Sequence, residues 1–148
     1  MARGRHQHVM DAKGRISIPA GFRVELQAQD ERPPILTTLV DAPALGLFAH
    51  ERWLQIEDRL ASMSQLQPEV QAVQRMLVSN SIECPLDGQG RILIPPHLRS
   101  SAELERDVTI AGVGARIELW DTERFEGEMT RTRERSHEIA SIAAQLGL

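Results

Sequence analysis

Asp11-Ala12-Lys13-Gly14-Arg15-Ile16-Ser17-Ile18-Pro19-Ala20-Gly21-Phe22-Arg23 is answered by Asp87-Gly88-Gln89-Gly90-Arg91-Ile92-Leu93-Ile94-Pro95-Pro96-His97-Leu98-Arg99. Asp, Gly, Arg, Ile, Ile, Pro and the last Arg recur in register, without a gap, half a chain apart. Self-similarity of this kind outranks any local signal in deciding architecture. A second match follows each copy: Leu-Gly-Leu-Phe-Ala-His-Glu-Arg-Trp at 45–53 and Ile-Glu-Leu-Trp-Asp-Thr-Glu-Arg-Phe at 117–125. It comes four residues later in the first copy, which places an insertion in the loop around Asp30-Glu31-Arg32-Pro33-Pro34. The chain therefore divides into two similar units, 1–63 and 77–148, joined by a helical linker at 64–76.

Working outward, each unit has one plan. An extended stretch (His6–Met10, Ile82–Leu86) enters a tight Asp-x-x-Gly-Arg turn, in which Asp bonds its own backbone and Gly takes the positive-φ position. An alternating strand follows, Arg15 to Ile18 or Arg91 to Ile94. Pro19 and Pro95 end the strand and open short helices near 20–28 and 96–105. Two further strands close each unit, Ile35–Val40 with Leu45–Phe48 and Val108–Ala111 with Arg116–Trp120. Trp53, Ile56, Leu60 and Met63 have helical spacing, as do Val70, Val73 and Leu77, with Pro68 starting the second run. At the C-terminus, Asp121 or Thr122 caps a helix whose stripe of Phe125, Met129, Ile139, Ile142 and Leu146 reads as core. The expected class is α+β, mainly β, in two tandem units with flanking helices.

Composition sets outer limits. Hydrophobic residues are 41% and charged residues 26% of the 148, ordinary for a folded chain. Aromatics are only 3%, a lean core that gains from further burial between subunits. No apolar run is long enough to span a bilayer, no export signal is apparent, and a single cysteine, Cys84, precludes an intrachain disulfide. A cytoplasmic protein is expected. The formal charge of −4 is unlike that of a nucleic-acid binder, but it is unevenly spread. Residues 1–27 carry Arg3, Arg5, Lys13, Arg15 and Arg23 against Asp11 and Glu25, whereas residues 103–148 carry six Arg against ten acidic side chains. The basic end is the candidate partner surface.

The doubled Asp-x-x-Gly-Arg-x-x-Ile-Pro motif, the helical pair between the copies and Glu-Arg-Trp or Glu-Arg-Phe after each second half resemble the MraZ family. The resemblance covers nearly the whole chain. It implies two tandem AbrB-type swapped-hairpin DNA-binding units forming a pseudo-dimeric barrel, in a cytoplasmic, nucleoid-associated transcriptional regulator. It further implies assembly into rings and binding to short G-rich direct repeats upstream of the division and cell-wall gene cluster. The matching positions are Asp11, Lys13, Gly14 and Arg15, then Asp87, Gly90 and Arg91. Gly88 departs from the pattern, standing where Lys is common in the second motif. Cys84-Pro85 interrupts the strand before it, so the second unit is expected to read bases less and to serve structure more.

The chemistry agrees with that expectation. A two-stranded ribbon fits the major groove, and an arginine fork can bond guanine O6 and N7. Arg15 and Arg91 are the expected readers, Lys13 a phosphate or base contact, and Arg3 and Arg5 phosphate contacts that position without reading. Asp11, Gly14, Asp87 and Gly90 are expected to shape the turns; a carboxylate aimed at DNA would be repelled. Arg23 and Arg99 read as a structural salt bridge or cap. His6 and His8 share a strand face, but no further ligand stands at zinc spacing, so no metal or other cofactor is expected. Ala-Gly-Val-Gly-Ala-Arg at 111–116 is not a dinucleotide fingerprint, and no phosphate loop, nucleophile elbow or metalloprotease helix occurs. Double-stranded DNA and further copies of the chain are the expected partners, without membrane or small-molecule substrate. The competing readings are a ring-forming scaffold for proteins and an AbrB-type antitoxin, which usually carries one such unit and a disordered tail.

Overall fold

Polar, charged β1 (Ala2–Val9) runs out from the N-terminus as a sheet edge, with nearly every side chain solvent-facing. In the computed structural model, which describes residues 1–27 and 31–148, it pairs with a strand of the other unit. After the first turn come β2 (Arg15–Ser17), α1 (Ala20–Gln27), β3 (Ile35–Thr38), β4 (Leu45–Phe48), α2 (His50–Ser62) and α3 (Pro68–Val73). A π-helical segment, Gln74–Val78, continues α3. The second unit supplies β5 (Ile82–Glu83), β6 (Arg91–Leu93), α4 (Pro96–Ser101), β7 (Asp107–Gly114), β8 (Ile117–Asp121), α5 (Thr122–Glu134) and α6 (Ser136–Gln145). Asp30, within the expected insertion, and residue 28, the expected end of the first helix, lie outside the described residues.

The strands form a six-stranded antiparallel sheet in the order β1-β7-β8-β4-β3-β5 and a separate two-stranded ribbon of β2 with β6. Both ladders mix the units. Ala2 stands opposite Gly114 and Val9 opposite Asp107, while Leu45 of the first unit stands opposite Leu119 of the second. The α+β class and the pairing of two tandem units are as the sequence led us to expect.

Burial explains the interleaving. Leu36, Leu45, Leu47, Val108, Ile110 and Leu119 are fully buried, and they join Ile16, Ile18, Ile92, Ile94 and Leu98 in one core. A hydrophobic strand covered on both faces needs apolar neighbours that its own unit is too small to provide. A second cluster, Ile35, Leu39, Ala44, Phe48, Trp53 and Trp120, seats α2 and α5. Trp53 Nε1 donates to Glu57, and the buried Glu118 accepts from both Arg116 and Trp120, so these polar groups are satisfied.

The helices depart from expectation in one respect. Asp121 does cap α5, accepting from the Arg124 backbone N–H at 3.1 Å. But α5 and α6 bury no residue, and Ile139, Ile142 and Leu146 are 47, 57 and 72% exposed. Met63 is likewise half exposed. Of the expected stripe, Phe125 packs against the second cluster, whereas Ile139 and Ile142 of α6 and the following Leu146 stay exposed.

Candidate nucleic-acid interface

Each Asp-x-x-Gly-Arg turn is closed by its own aspartate. Asp11 Oδ1 accepts from the backbone N–H of Lys13 at 3.0 Å and of Arg15 at 2.9 Å. Its other oxygen accepts from Arg15 Nε at 2.7 Å. The backbone closes twice more, from Gly14 N to Asp11 O and from Asp11 N to Arg15 O. Gly14 sits at φ +90°, a conformation in which a Cβ is strained. Asp87, Gln89, Gly90 and Arg91 repeat the arrangement bond for bond, with Arg91 Nε 2.9 Å from Asp87 Oδ2 and Gly90 at φ +74°.

Those donors fix the carboxylates in the charged form. The Arg15 backbone N–H, then the Arg15 side chain, hold Asp11 down at about 2. Asp87 is lowered by the same kind of contact, led by the Arg91 backbone N–H. The ionised aspartate thus aims each arginine: Nε is used and the terminal nitrogens remain for another partner. Both guanidinium groups are partly exposed, at 37% for Arg15 and 30% for Arg91.

The ribbon brings the two arginines together. Ile16 and Ile92 are cross-strand partners facing the core, so Arg15, Ser17, Arg91 and Leu93 face outward. Arg91 stands opposite Ser17, two residues from Arg15, which puts their Cα atoms roughly 8 Å apart on one face. Lys13, exposed at the first tip, has Gln89 as its counterpart in the second. The neighbouring Gly88 has open space where a side chain would stand.

Arg3 and Arg5 are not brought to this face. They lie up β1, with Arg3 about 20 Å from Val9 by strand rise. Arg5 leans on α5, with its guanidinium 5.4 Å from the Phe125 ring centroid and 3.4 Å from Glu126. His6 stacks edge-on against Phe22, and no cluster of three or more metal-ligating side chains occurs among the described residues.

The second unit differs where its sequence does. β5 is only two residues long and pairs with β3, whereas β1 runs for eight and pairs with β7. Cys84 is buried where that strand stops; burial pushes its thiol up to about 12. Arg23 and Arg99 were expected to form a salt bridge or cap. Among the described residues neither does so: their Nε atoms are buried without a partner, and each side chain lies against the turn of the opposite unit. No local sequence signal could have placed them there, because the contact spans the two units.

Interleaved strands, an intertwined core and two aspartate-locked arginine turns on a shared ribbon define a tandem swapped-hairpin protein. The family model described as "MraZ protein, putative antitoxin-like" matches residues 1–76 and again 77–145. A Transcriptional regulator MraZ from Thermoanaerobacter sp. (strain X514) is 38% identical, with both chains aligned throughout. One from Syntrophobacter fumaroxidans is 37% identical over 99% of this chain and 96% of its own. Another, from Pseudoalteromonas translucida, is 36% identical over 90% and 88%. The chain belongs to the MraZ family. No helix among the described residues is long and apolar enough to cross a membrane.

Proposed function

We propose that this chain is a cytoplasmic, nucleoid-associated transcriptional regulator. It reads double-stranded DNA, at G-rich direct repeats upstream of the division and cell-wall gene cluster, through the β2–β6 ribbon. The observation that carries this reading is the pair of outward arginines, Arg15 and Arg91, each aimed by an ionised aspartate on a two-stranded ribbon. A ribbon of this width enters the major groove, where a guanidinium finds guanine O6 and N7. The regulatory role named for the relatives supports it. Lys13 contacts phosphate or base beside Arg15, while Arg3 and Arg5, being remote from the tips, contribute phosphate contacts on flanking DNA. The units 1–63 and 77–148, with 64–76 between them, act as one pseudo-dimer. Copies of the chain close into a ring through the exposed apolar faces of the C-terminal helices. No cofactor, metal or catalytic step enters this reading.

A gel shift with the chain's own upstream region across a salt series tests it. Binding should weaken steeply as salt rises. Arg15→Ala should cost about 1–3 kcal/mol and relax the preference for guanine, and Arg91→Ala should cost less, since its turn lacks a lysine. Parent-like binding by Arg15→Ala would remove Arg15 as the reader, and a larger loss at Arg91 would reverse the ranking.

A further inference from the structure

The space that a side chain on Gly14 or Gly90 would need is filled by the opposite unit, in each case by an arginine and at Gly14 by backbone as well. A Cβ on Gly14 would lie 2.5 Å from the Ile94 carbonyl oxygen, 2.9 Å from Arg99 Nε and 3.0 Å from Arg99 Cζ. A Cβ on Gly90 would lie 2.7 Å from Arg23 Cζ and would overlap its Nη1. The backbone repeats the exchange: Ile94 N–H donates to the Gly14 carbonyl, and Ile18 N–H donates to the Gly90 carbonyl, each at 2.9 Å. Both arginines sit one turn into a helix that starts after proline, where Arg23 N and Arg99 N donate to Pro19 O and Pro95 O. Their Nε atoms are buried with no hydrogen-bond partner, a cost that packing alone gives no reason to bear. A planar guanidinium can lie flat against a peptide, as a lysine ammonium cannot.

We infer that each reading turn is a composite of both units, with Arg99 acting as the positioning residue for the Asp11–Arg15 turn and Arg23 for the Asp87–Arg91 turn. This rests on the proposed reading role of Arg15 and Arg91 and adds the residues that hold them. The crossing is obligatory in this fold: α4 carries the brace of the first turn and α1 that of the second. A change in one unit therefore appears at the recognition tip of the other. Gly14 and Gly90 are fixed by two demands at once, a positive φ and a bare surface against which the guanidinium can rest.

The test uses the full chain with Arg99→Met and Arg23→Met, which keep the stem and remove the planar group. Amide hydrogen exchange is first measured without DNA. Arg99→Met should speed exchange at Gly14 and Ile94 by about tenfold or more and leave Gly90 and Ile18 as in the parent; Arg23→Met should do the reverse. Core amides of Leu47 and Leu119 report any global loosening. If a methionine variant does not fold, the lysine variant gives the same comparison, since it keeps charge and stem but not the plane. Equal effects on both turns, an effect confined to the Asp-x-x-Gly-Arg turn of the arginine's own unit, or no local change would overturn the inference whatever the DNA result. Gel shifts then pair each variant with Arg15→Ala. Arg99→Met should weaken binding about tenfold alone and add little to Arg15→Ala, whereas Arg23→Met should add in full. The salt slope should stay that of the parent; a slope reduced by about one would make Arg99 a phosphate contact instead. If Arg15→Ala itself binds like the parent, the reading role falls while the exchange result still decides the brace.

Discussion

Asp11 and Asp87 act as aiming devices at the scale of single residues. Each carboxylate takes two backbone N–H groups and one arginine Nε, so its charge is spent on its own turn and is not presented to phosphate. Asp11 falls from the ordinary 3.8 to about 2 because its partners favour the charged form. A lowered carboxylate stabilises the fold above its unfolded value, and that contribution fades as pH drops from about 4 toward 2. An NMR titration of the Asp11 carboxyl should therefore show a midpoint near 2, with the Arg15 Nε–H signal lost over the same range; an ordinary midpoint would mean that the turn is open in solution. Gly88 offers a gain rather than a loss. Nothing lies within 4 Å of a Cβ there, and its φ is not in the left-handed region. Gly88→Lys should tighten DNA binding and steepen the salt dependence by about one phosphate contact, read as the slope of log K against log salt. An unchanged slope would show that the second tip stays off the backbone.

The ribbon is one of the elements that link the units. Ile16 and Ile92 face each other across it, and each is 1% exposed in the shared core. A three-residue strand has no stability of its own, so its place depends on the apolar surface beneath it. Ile92→Ala should cost about 2–5 kcal/mol, as large-to-small core changes do. The loss should appear as a single transition, with far-UV circular dichroism and tryptophan fluorescence coincident in urea, because neither unit keeps a core alone. Two separated transitions would mean that the units fold independently.

At the scale of the whole molecule, an apolar stripe at the C-terminus has no partner among the described residues. Ile139, Ile142, Leu146 and Leu148 are exposed on and beyond α6, which buries nothing against its own chain. The two units are alike but not identical, so contacts between copies can run head to tail and close into a ring. Linked ribbons would then engage regularly spaced repeats together, raising the effective concentration at each neighbouring site. Light scattering after size exclusion should find an assembly larger than a dimer, and Ile142→Glu should reduce it to smaller species. A parent that stays monomeric at micromolar concentration, on repeat DNA as well as off it, would sink both the ring and the avidity it supplies.

The duplication, the two turns and the residues within them are legible in the chain alone. Those features are local: an Asp accepting from the backbone two and four residues on, a Gly at positive φ and a Pro opening a helix act within about ten residues and leave their pattern in the chain. Cys84-Pro85 likewise foretold the short β5. Folding set which strand pairs with which, brought Arg15 and Arg91 to one ribbon face, and leaned Arg5 on α5. It also placed Arg23 and Arg99 at the opposite unit's turn and left the α6 stripe uncovered. A 3.6-residue apolar period marks a face to be buried but does not name what buries it, and here none of the described residues does. Partners far apart in sequence are chosen by the burial of the whole, and two units built on one plan give the pattern no local means of telling a strand's own unit from its neighbour's.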